Sequence, residues 1–133
     1  MAHYLVTAIP MAGRMEELGD LLRKDAFLRL RPFGGAITVS LRNARLREDG
    51  AAVWEEEDYC NPPLAQERSS VLDSFFRDLA TEPVRRGEGW KRIYALPPLF
   101  PDLADRQRTA PGDARREAYD VTAPRGRTRS VRR

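Results

Sequence analysis

The residues with the greatest potential for chemistry lie in one short stretch, WEEEDYCNPPLAQER, which spans residues 54–68. Four acidic side chains in succession precede a tyrosine, the single cysteine of the chain and two prolines. Carboxylates serve as general acids and bases, bind hard cations and pair with arginines. A thiol just before a helix N-terminus has a lowered pKa and is more nucleophilic. The stretch therefore raises the questions of a metal site, an acid–base site and a reactive cysteine.

The acidic run at residues 55–58 lies at the end of a predicted β-strand. Successive side chains of a strand point to opposite faces, so at most two of the four carboxylates converge. His3 is the only histidine, and the ligand spacing of an EF-hand is absent. The sequence therefore predicts no metal site. It also implies no cofactor, because Gly34 and Gly35 precede a predicted strand and so do not form a phosphate-binding loop.

Cys60 and His3 are both interpreted as structural residues. The neighbouring acids should raise the pKa of the Cys60 thiol, against the effect of the helix dipole. Cys60 is therefore predicted to be a small residue at a strand–helix corner. His3 begins a predicted strand, and we interpret it as a strand-end histidine and not as a general base.

Length and composition define the broad class. A chain of 133 residues with one cysteine suits a single domain with no disulfide framework, in a reducing, cytoplasmic setting. The first residues lack the basic start and apolar run of a secretory signal. No run approaches the roughly 18 apolar residues of a membrane span. These features predict a cytoplasmic protein with no membrane partner.

The charge is divided unevenly along the chain. Residues 102–133 carry nine arginines and five acids, whereas residues 1–101 carry 14 basic and 15 acidic side chains. This contrast predicts a domain at 1–101 and an arginine-rich, disordered tail at 102–133. The near-neutral body gives no reason to expect a nucleic-acid-binding face.

The hydrophobic periodicity predicts six elements in the order β-α-β-β-α-β. The first strand has apolar residues on both faces, and Glu48-Asp49-Gly50 is a hairpin signal. This order is the split βαβ, ferredoxin-like pattern, an α+β fold with a four-stranded antiparallel sheet and two helices on one face. The predicted strands are 3–9, 36–46, 51–59 and 89–96, and the predicted helices are 12–24 and 61–80.

In element order and size, residues 3–96 resemble the dimeric α+β barrel superfamily. Its members include small monooxygenases, isomerases and polyketide cyclases. The resemblance implies a homodimer in which two sheets face each other and enclose a cavity. It rests on the fold alone, so no catalytic residue is carried over.

The open sheet face is where the sequence places a site. If Ile37, Val39 and Leu41 face the helices, then Ser40 and Arg42 face the open side. A three-residue loop at 48–50 would place Arg42 opposite Glu56 and Ser40 opposite Asp58, with Trp54 on the same face. A two-residue loop at 49–50 would instead pair Arg42 with Glu57 and Ser40 with Tyr59. In both registers an arginine faces a carboxylate, as an ordinary cross-strand ion pair or as a ligand-binding pair.

Two classes of function are compatible with these features. The first is a ligand-binding protein or cofactor-independent enzyme that acts on a small organic molecule. Its candidate catalytic residues are Arg42, Glu56, Glu57 and Asp58, and its candidate ligand-binding residues are Ser40, Trp54, Tyr59 and Trp90. The alternative is a noncatalytic interaction module whose arginine-rich tail binds nucleic acid or an acidic partner.

Overall fold

A computed structural model describes residues 2–104 of the chain. The predicted tail therefore lies almost wholly outside the described residues, and its nucleic-acid binding stays a prediction. At the start of that segment, Asp102 forms an ion pair with Arg23, and Leu103 packs against the core. The folded body thus extends a few residues past the predicted boundary at 101.

Residues 2–104 form an α+β domain with a four-stranded antiparallel sheet. The strands β1–β4 lie in the order β2-β3-β1-β4, and four helices, α1–α4, connect and cover them. The strands are β1 (Ala2–Pro10), β2 (Arg45–Leu46), β3 (Ala52–Asp58) and β4 (Phe76–Val84). The helices are α1 (Met15–Arg23), α2 (Gly34–Arg42), α3 (Ala65–Ser70) and α4 (Glu88–Ile93), with a 3₁₀ turn at Leu72–Ser74.

Strand β1 is central and covered on both faces, as its two-sided apolar pattern predicts. Val6 and Ala8 point into the main core, whereas Leu5 points into a smaller cluster on the second face. Pairing with β3 sets Val6 opposite Trp54, which lies in the main core with side chains from α1 and α2. The main core includes Leu18, Leu22, Phe33, Ile37, Leu41, Trp54, Leu72, Phe76 and Phe100.

The segment 36–46 is not the predicted strand, because residues 34–42 form helix α2. Its sequence satisfies both periods, since apolar residues alternate and also recur four positions apart. Ile37 and Leu41 are fully buried, whereas Val39 between them is 40% exposed, which is the helical outcome. The Thr38 hydroxyl donates a hydrogen bond to Gly34 O at 2.7 Å, one turn back along the helix.

The two elements predicted after residue 60 are also wrong. The predicted helix 61–80 ends early: α3 stops at Ser70, and the chain then forms edge strand β4 beside β1. The predicted strand 89–96 is instead helix α4, which follows the left-handed Gly87. Ile93 of α4 packs with Leu5 and Val53 on the second sheet face. The prediction of two helices on one face with the other face open is therefore incorrect.

The β2–β3 hairpin settles which of the two predicted registers forms. Arg47 N donates to Ala51 O, and Arg45 pairs with Val53, which corresponds to the three-residue loop at 48–50. Strand β2 has only two residues, however, so the pairing never reaches Arg42. Beyond it, the Ser40 hydroxyl of α2 donates to Glu55 O at 2.8 Å. A helix thus covers the β3 edge that the sequence assigned to a strand.

Candidate functional site

The corner between β3 and α3 brings three chemically active side chains together. Asp58 ends β3, and its Oδ2 accepts hydrogen bonds from Cys60 N at 3.0 Å and Leu64 N at 2.6 Å. These bonds turn the chain, with Leu64 in a left-handed conformation just before α3. The first turn of α3 then carries Glu67 back towards the end of β3.

Asp58, Cys60 and Glu67 form a compact cluster, which we call the corner cluster. One ligand atom from each residue lies within 4.8 Å of those of the other two. The thiol of Cys60 donates to Glu67 Oε1 at 3.8 Å, and the carboxyl of Glu67 is hydrogen-bonded to that of Asp58. Asp58 is 3% exposed and Glu67 1%, whereas Cys60 is half-buried. The two carboxyl groups are therefore shielded from most of the solvent, and a proton on Glu67 can bridge to Asp58.

The environment of the corner cluster separates the pKa values of its members. Burial, followed by the hydrogen bond to Asp58, raises the pKa of Glu67 to about 7. Burial also acts to raise the pKa of Asp58, but hydrogen bonds from Leu64 N, Glu67 and Cys60 N outweigh it and hold that pKa below its ordinary value. Two carboxyl groups that titrate far apart can act as acid and base at one pH.

The Cys60 thiol is held in its protonated form. A backbone hydrogen bond at Gln66 acts to lower its pKa, but burial and the neighbouring Asp58 and Glu67 together raise it above the ordinary value. The direction agrees with the sequence-based interpretation that nearby acids oppose the helix dipole. Cys60 is thus not an activated nucleophile in this state.

A cavity of about 270 Å³ opens onto the corner cluster. Phe33 and Ala36 from the start of α2 face Asp58 and Glu67 across it, and Tyr59 lies at its rim with 71% of its surface exposed. One wall is thus apolar and the other carries the carboxyl pair, which is the usual composition of a small-ligand site. The lining residues are Pro32, Phe33, Ala36, Glu57, Asp58, Tyr59, Cys60, Gln66 and Glu67.

A second cavity of about 350 Å³ lies alongside and shares Ala36 and Glu57 with the first. His3 approaches Glu57 within 3.5 Å at its margin, and Ser40 and Trp90 line it. Glu55, also in this wall, is saturated by structural hydrogen bonds: its carboxylate accepts from Gly87 N, Gly89 N and Trp90 N.

Arg42 does not reach the predicted site. It lies at the end of α2, where its guanidinium donates to Leu22 O at 2.7 Å and pairs with Asp25. The predicted pairing of Arg42 with Glu56 or Glu57 is therefore wrong, because residue 42 is helical and not part of the hairpin. The catalytic role of Arg42 loses the geometry on which it was based.

The other predicted residues divide between three places. Asp58 and Tyr59 line the first cavity, Ser40 and Trp90 line the second, and Glu57 lines both. Trp54 and Glu56 are instead fully buried, with the indole N–H of Trp54 donating to Glu56 Oε1 at 2.8 Å. Their role as wall and acid in a ligand cavity has no support in this placement.

Glu67 is the functional candidate that the sequence interpretation missed. The sequence feature that could have identified it is its spacing. Glu67 lies three residues after Leu64 and four before Val71, so it falls on the apolar face of the helix. An acidic residue on the buried side of a helix requires a partner or a proton. Here the partner is Asp58.

Comparison of the chain with protein-family models, curated proteins and solved structures found no match. Within the described residues, no helix combines the length and apolar character needed to cross a membrane. The geometry of the corner cluster and its cavity is therefore the basis for assigning a function.

Proposed function

We propose that this chain binds a small organic molecule in the cavity at the corner cluster and exchanges a proton with it through Glu67. The carrying observation is the pair of buried carboxyl groups, Asp58 and Glu67, that share a hydrogen bond at the wall of a 270 Å³ cavity. The proposed proton transfer needs only side chains of this chain.

Glu67 is the general acid or base in this proposal. A pKa near 7 leaves comparable amounts of the protonated and ionised forms at neutral pH, which is the optimum for giving and accepting protons. Asp58 is the positioning residue, because it holds the Glu67 carboxyl by a hydrogen bond while two backbone amides fix its own orientation.

The cavity limits the class of substrate. Its volume lies just below the roughly 300–1,000 Å³ typical of drug-sized ligands, so it suits a smaller metabolite. Phe33 and Pro32 favour an apolar or planar body, and the carboxyl pair favours a carbonyl or hydroxyl group that takes part in the proton transfer. Proton abstraction next to a carbonyl is the reaction class that uses these parts.

The single cysteine provides a direct test. Cys60 lines the cavity, so a bound ligand should protect its thiol from alkylation. The full chain is screened with a library of small carbonyl and hydroxyl compounds, and alkylation of Cys60 is followed by mass spectrometry. The proposal expects compounds that slow the reaction and that bind at least tenfold more weakly to the Glu67→Gln variant.

The matched control is Glu48→Gln, because Glu48 is an exposed glutamate in the hairpin loop. Its ligand binding should equal that of the wild type. The proposal is wrong if no compound protects Cys60, or if protection is the same in wild type and Glu67→Gln.

The ferredoxin-like fold, the homodimer and the cytoplasmic location are retained as proposals. The first is supported at the level of fold by the small α+β domain with its four antiparallel strands. For the dimer, α4 already covers part of the face that a second sheet was expected to meet. A dimer would therefore have to use the exposed side of β4, and sedimentation of the full chain would measure it.

A further inference from the structure

The corner cluster has more hydrogen-bond acceptors than donors. Asp58 and Glu67 bring two buried carboxyl groups close to the thiol of Cys60, and Glu56, on the same strand as Asp58, adds a third buried carboxyl. Among residues 2–104, no arginine, lysine or histidine forms an ion pair with any of these carboxyl groups. Buried carboxylates are normally paired with a cation, protonated or bound to a metal.

Glu56 is a second, independent observation, because it is a buried carboxyl group beside the corner cluster with one oxygen that lacks a hydrogen-bond partner within residues 2–104. It lies two residues before Asp58, so both side chains project from the same face of β3. Glu56 is 1% exposed, and its Oε2 has no hydrogen-bond partner among the described residues. Burial raises its pKa to about 8, and the negative charges of Glu67 and Asp58 contribute to that shift. The unpartnered carboxyl thus lies within electrostatic reach of the cluster.

The ligand atoms of the corner cluster match one class of cation. Two carboxyl oxygens and the thiol sulfur lie within 4.8 Å of one another, a spacing at which three side chains could hold one ion. Zinc binds oxygen at about 2.0–2.2 Å and sulfur at about 2.3 Å, and catalytic zinc sites have three protein ligands with a fourth position open. A thiolate favours Zn²⁺ over Mg²⁺ and Ca²⁺, which prefer oxygen alone.

We propose that Asp58, Cys60 and Glu67 bind Zn²⁺, with the fourth coordination position facing the 270 Å³ cavity. Binding forms one bond to each side chain and releases the thiol proton of Cys60 and the carboxyl proton of Glu67 to solvent. Glu56 is not one of the proposed ligands, and its buried carboxyl, when ionised, adds negative potential beside the cation. Zinc binding goes beyond the proton transfer proposed above, and the two states exclude each other because the metal and the proton compete for Glu67.

A cation at this site would silence the acid–base function. Glu67 cannot carry a proton while it is a metal ligand, so Zn²⁺ and the proton compete. Zinc binding should tighten as the pH rises, because metal ligation requires a thiolate and ionised carboxylates and therefore releases protons.

Cobalt provides the test, because a Co²⁺–thiolate bond gives a charge-transfer band in the near ultraviolet and tetrahedral Co²⁺ gives visible bands. The untagged full chain is treated with a chelator, exchanged into metal-free buffer and titrated with Co²⁺ and then with Zn²⁺. The expected result is a charge-transfer band that Zn²⁺ removes and that excess Mg²⁺ leaves unchanged. Absence of that band, or its loss on adding Mg²⁺, would overturn the proposal.

Three variants assign the ligands. Cys60→Ser should lose the charge-transfer band, and both Cys60→Ser and Glu67→Gln should bind Zn²⁺ at least tenfold more weakly, with circular dichroism confirming that they fold. His3→Ala should keep wild-type binding, since His3 lies outside the cluster. A band that persists in Cys60→Ser, or vanishes in His3→Ala, excludes this site. The ligand screen is run in chelator, so its failure and that of zinc binding are separate results.

Discussion

The indole N–H of Trp54 donates a hydrogen bond to Glu56 Oε1 at 2.8 Å, inside the core of the domain. The other oxygen of the same carboxyl, Oε2, is buried without a hydrogen-bond partner in the described part of the chain. Burial raises the pKa of Glu56 to about 8, so the residue is mainly protonated at neutral pH. Burial therefore keeps this carboxyl group neutral, although the hydrogen bond from Trp54 by itself favours the ionised form and acts to lower the pKa.

Glu56→Gln should remove a pH dependence from the stability of the protein. Between about pH 4.5 and 8, the unfolded chain releases the Glu56 proton and the folded chain keeps it, so wild-type stability falls as the pH rises. One pH unit corresponds to about 1.4 kcal/mol for a fully buried group, and a gain of about 1–3 kcal/mol at pH 8 is expected for the variant. Urea unfolding at pH 5 and pH 8 measures the difference.

The control for this prediction is Glu48→Gln, which removes an exposed carboxyl from the hairpin loop. Its effect on the free energy of unfolding should be small and equal at the two pH values. If Glu56→Gln has no greater stability at pH 8 than wild type, relative to pH 5, then Glu56 is ionised in the folded protein.

Asp58→Ala should destabilise the corner between β3 and α3. The substitution leaves Cys60 N and Leu64 N without their shared acceptor, and a hydrogen bond to a charged group contributes about 1.5–3 kcal/mol. We expect a loss of about 3 kcal/mol in the free energy of unfolding at pH 7. Because the pKa of Asp58 is lowered in the folded state, its contribution is complete above its unfolded pKa of 3.8 and disappears as the pH falls through the folded value.

Asp49 offers the matched comparison. Its Oδ1 also accepts a hydrogen bond from a backbone amide two residues later, Ala51 N at 3.0 Å, but Asp49 is exposed in the hairpin loop. Asp49→Ala should therefore cost less than Asp58→Ala in the same urea titration at pH 7. Equal losses of unfolding free energy in the two variants would show that burial of the Asp58 carboxylate adds nothing to the stability of the corner.

The sequence correctly predicts β1, α1 and β3, whereas α2, β4 and α4 lie where it predicts other elements. Strands β1 and β3 and the hairpin loop form where periodicity and turn residues place them, because both strands have a local signal that agrees with their burial. Residues 34–42 carry two signals, alternating and helical, and tertiary packing selects the helix. Strand β4 has almost no strand signal in its sequence. It is an exposed edge strand, and Pro83 lies near the end of its pairing with β1.

The part of the site on β3 could be predicted from the sequence, because it depends on strand alternation, whereas the part on α3 could not. Strand alternation correctly places Glu56 and Asp58 on one face and Glu57 on the other. The third acid, Glu67, comes from a helix whose angle to β3 depends on the turn at Leu64. No local pattern defines that angle. The predicted role of Arg42 was wrong because it assumed that residues 36–46 form a strand, whereas residues 34–42 form helix α2.

Two adjacent glycines at the start of α2 should respond in opposite ways to alanine. A Cβ on Gly34 would overlap Phe27 O and lie 2.9 Å from Leu28 O, which are backbone atoms that cannot move aside cheaply. A Cβ on Gly35 would meet nothing within 4 Å. Gly34→Ala should therefore destabilise the fold strongly, whereas Gly35→Ala should stabilise it by about 0.5–1 kcal/mol through helix propensity.

Thermal and urea unfolding of both variants give the comparison, with circular dichroism as the common probe. The paired design controls for composition, because each variant adds one methyl group to the same helix terminus. A Gly34→Ala protein as stable as Gly35→Ala would contradict the close packing of α2 on the chain at Phe27.

Glu55→Gln should loosen helix α4 from the second sheet face. The buried carboxylate accepts hydrogen bonds from Gly87 N, Gly89 N and Trp90 N at 2.8–3.2 Å, and the variant replaces one acceptor oxygen with an amide donor. Hydrogen exchange at residues 87–90 should accelerate at least tenfold, with the amides of β1 little affected.

The comparison is Arg92→Ala, which removes an exposed ion pair between α4 and Glu82. This variant should leave exchange nearly unchanged, since exposed pairs contribute little. Equal protection in Glu55→Gln and wild type would mean that apolar packing alone holds α4 in place.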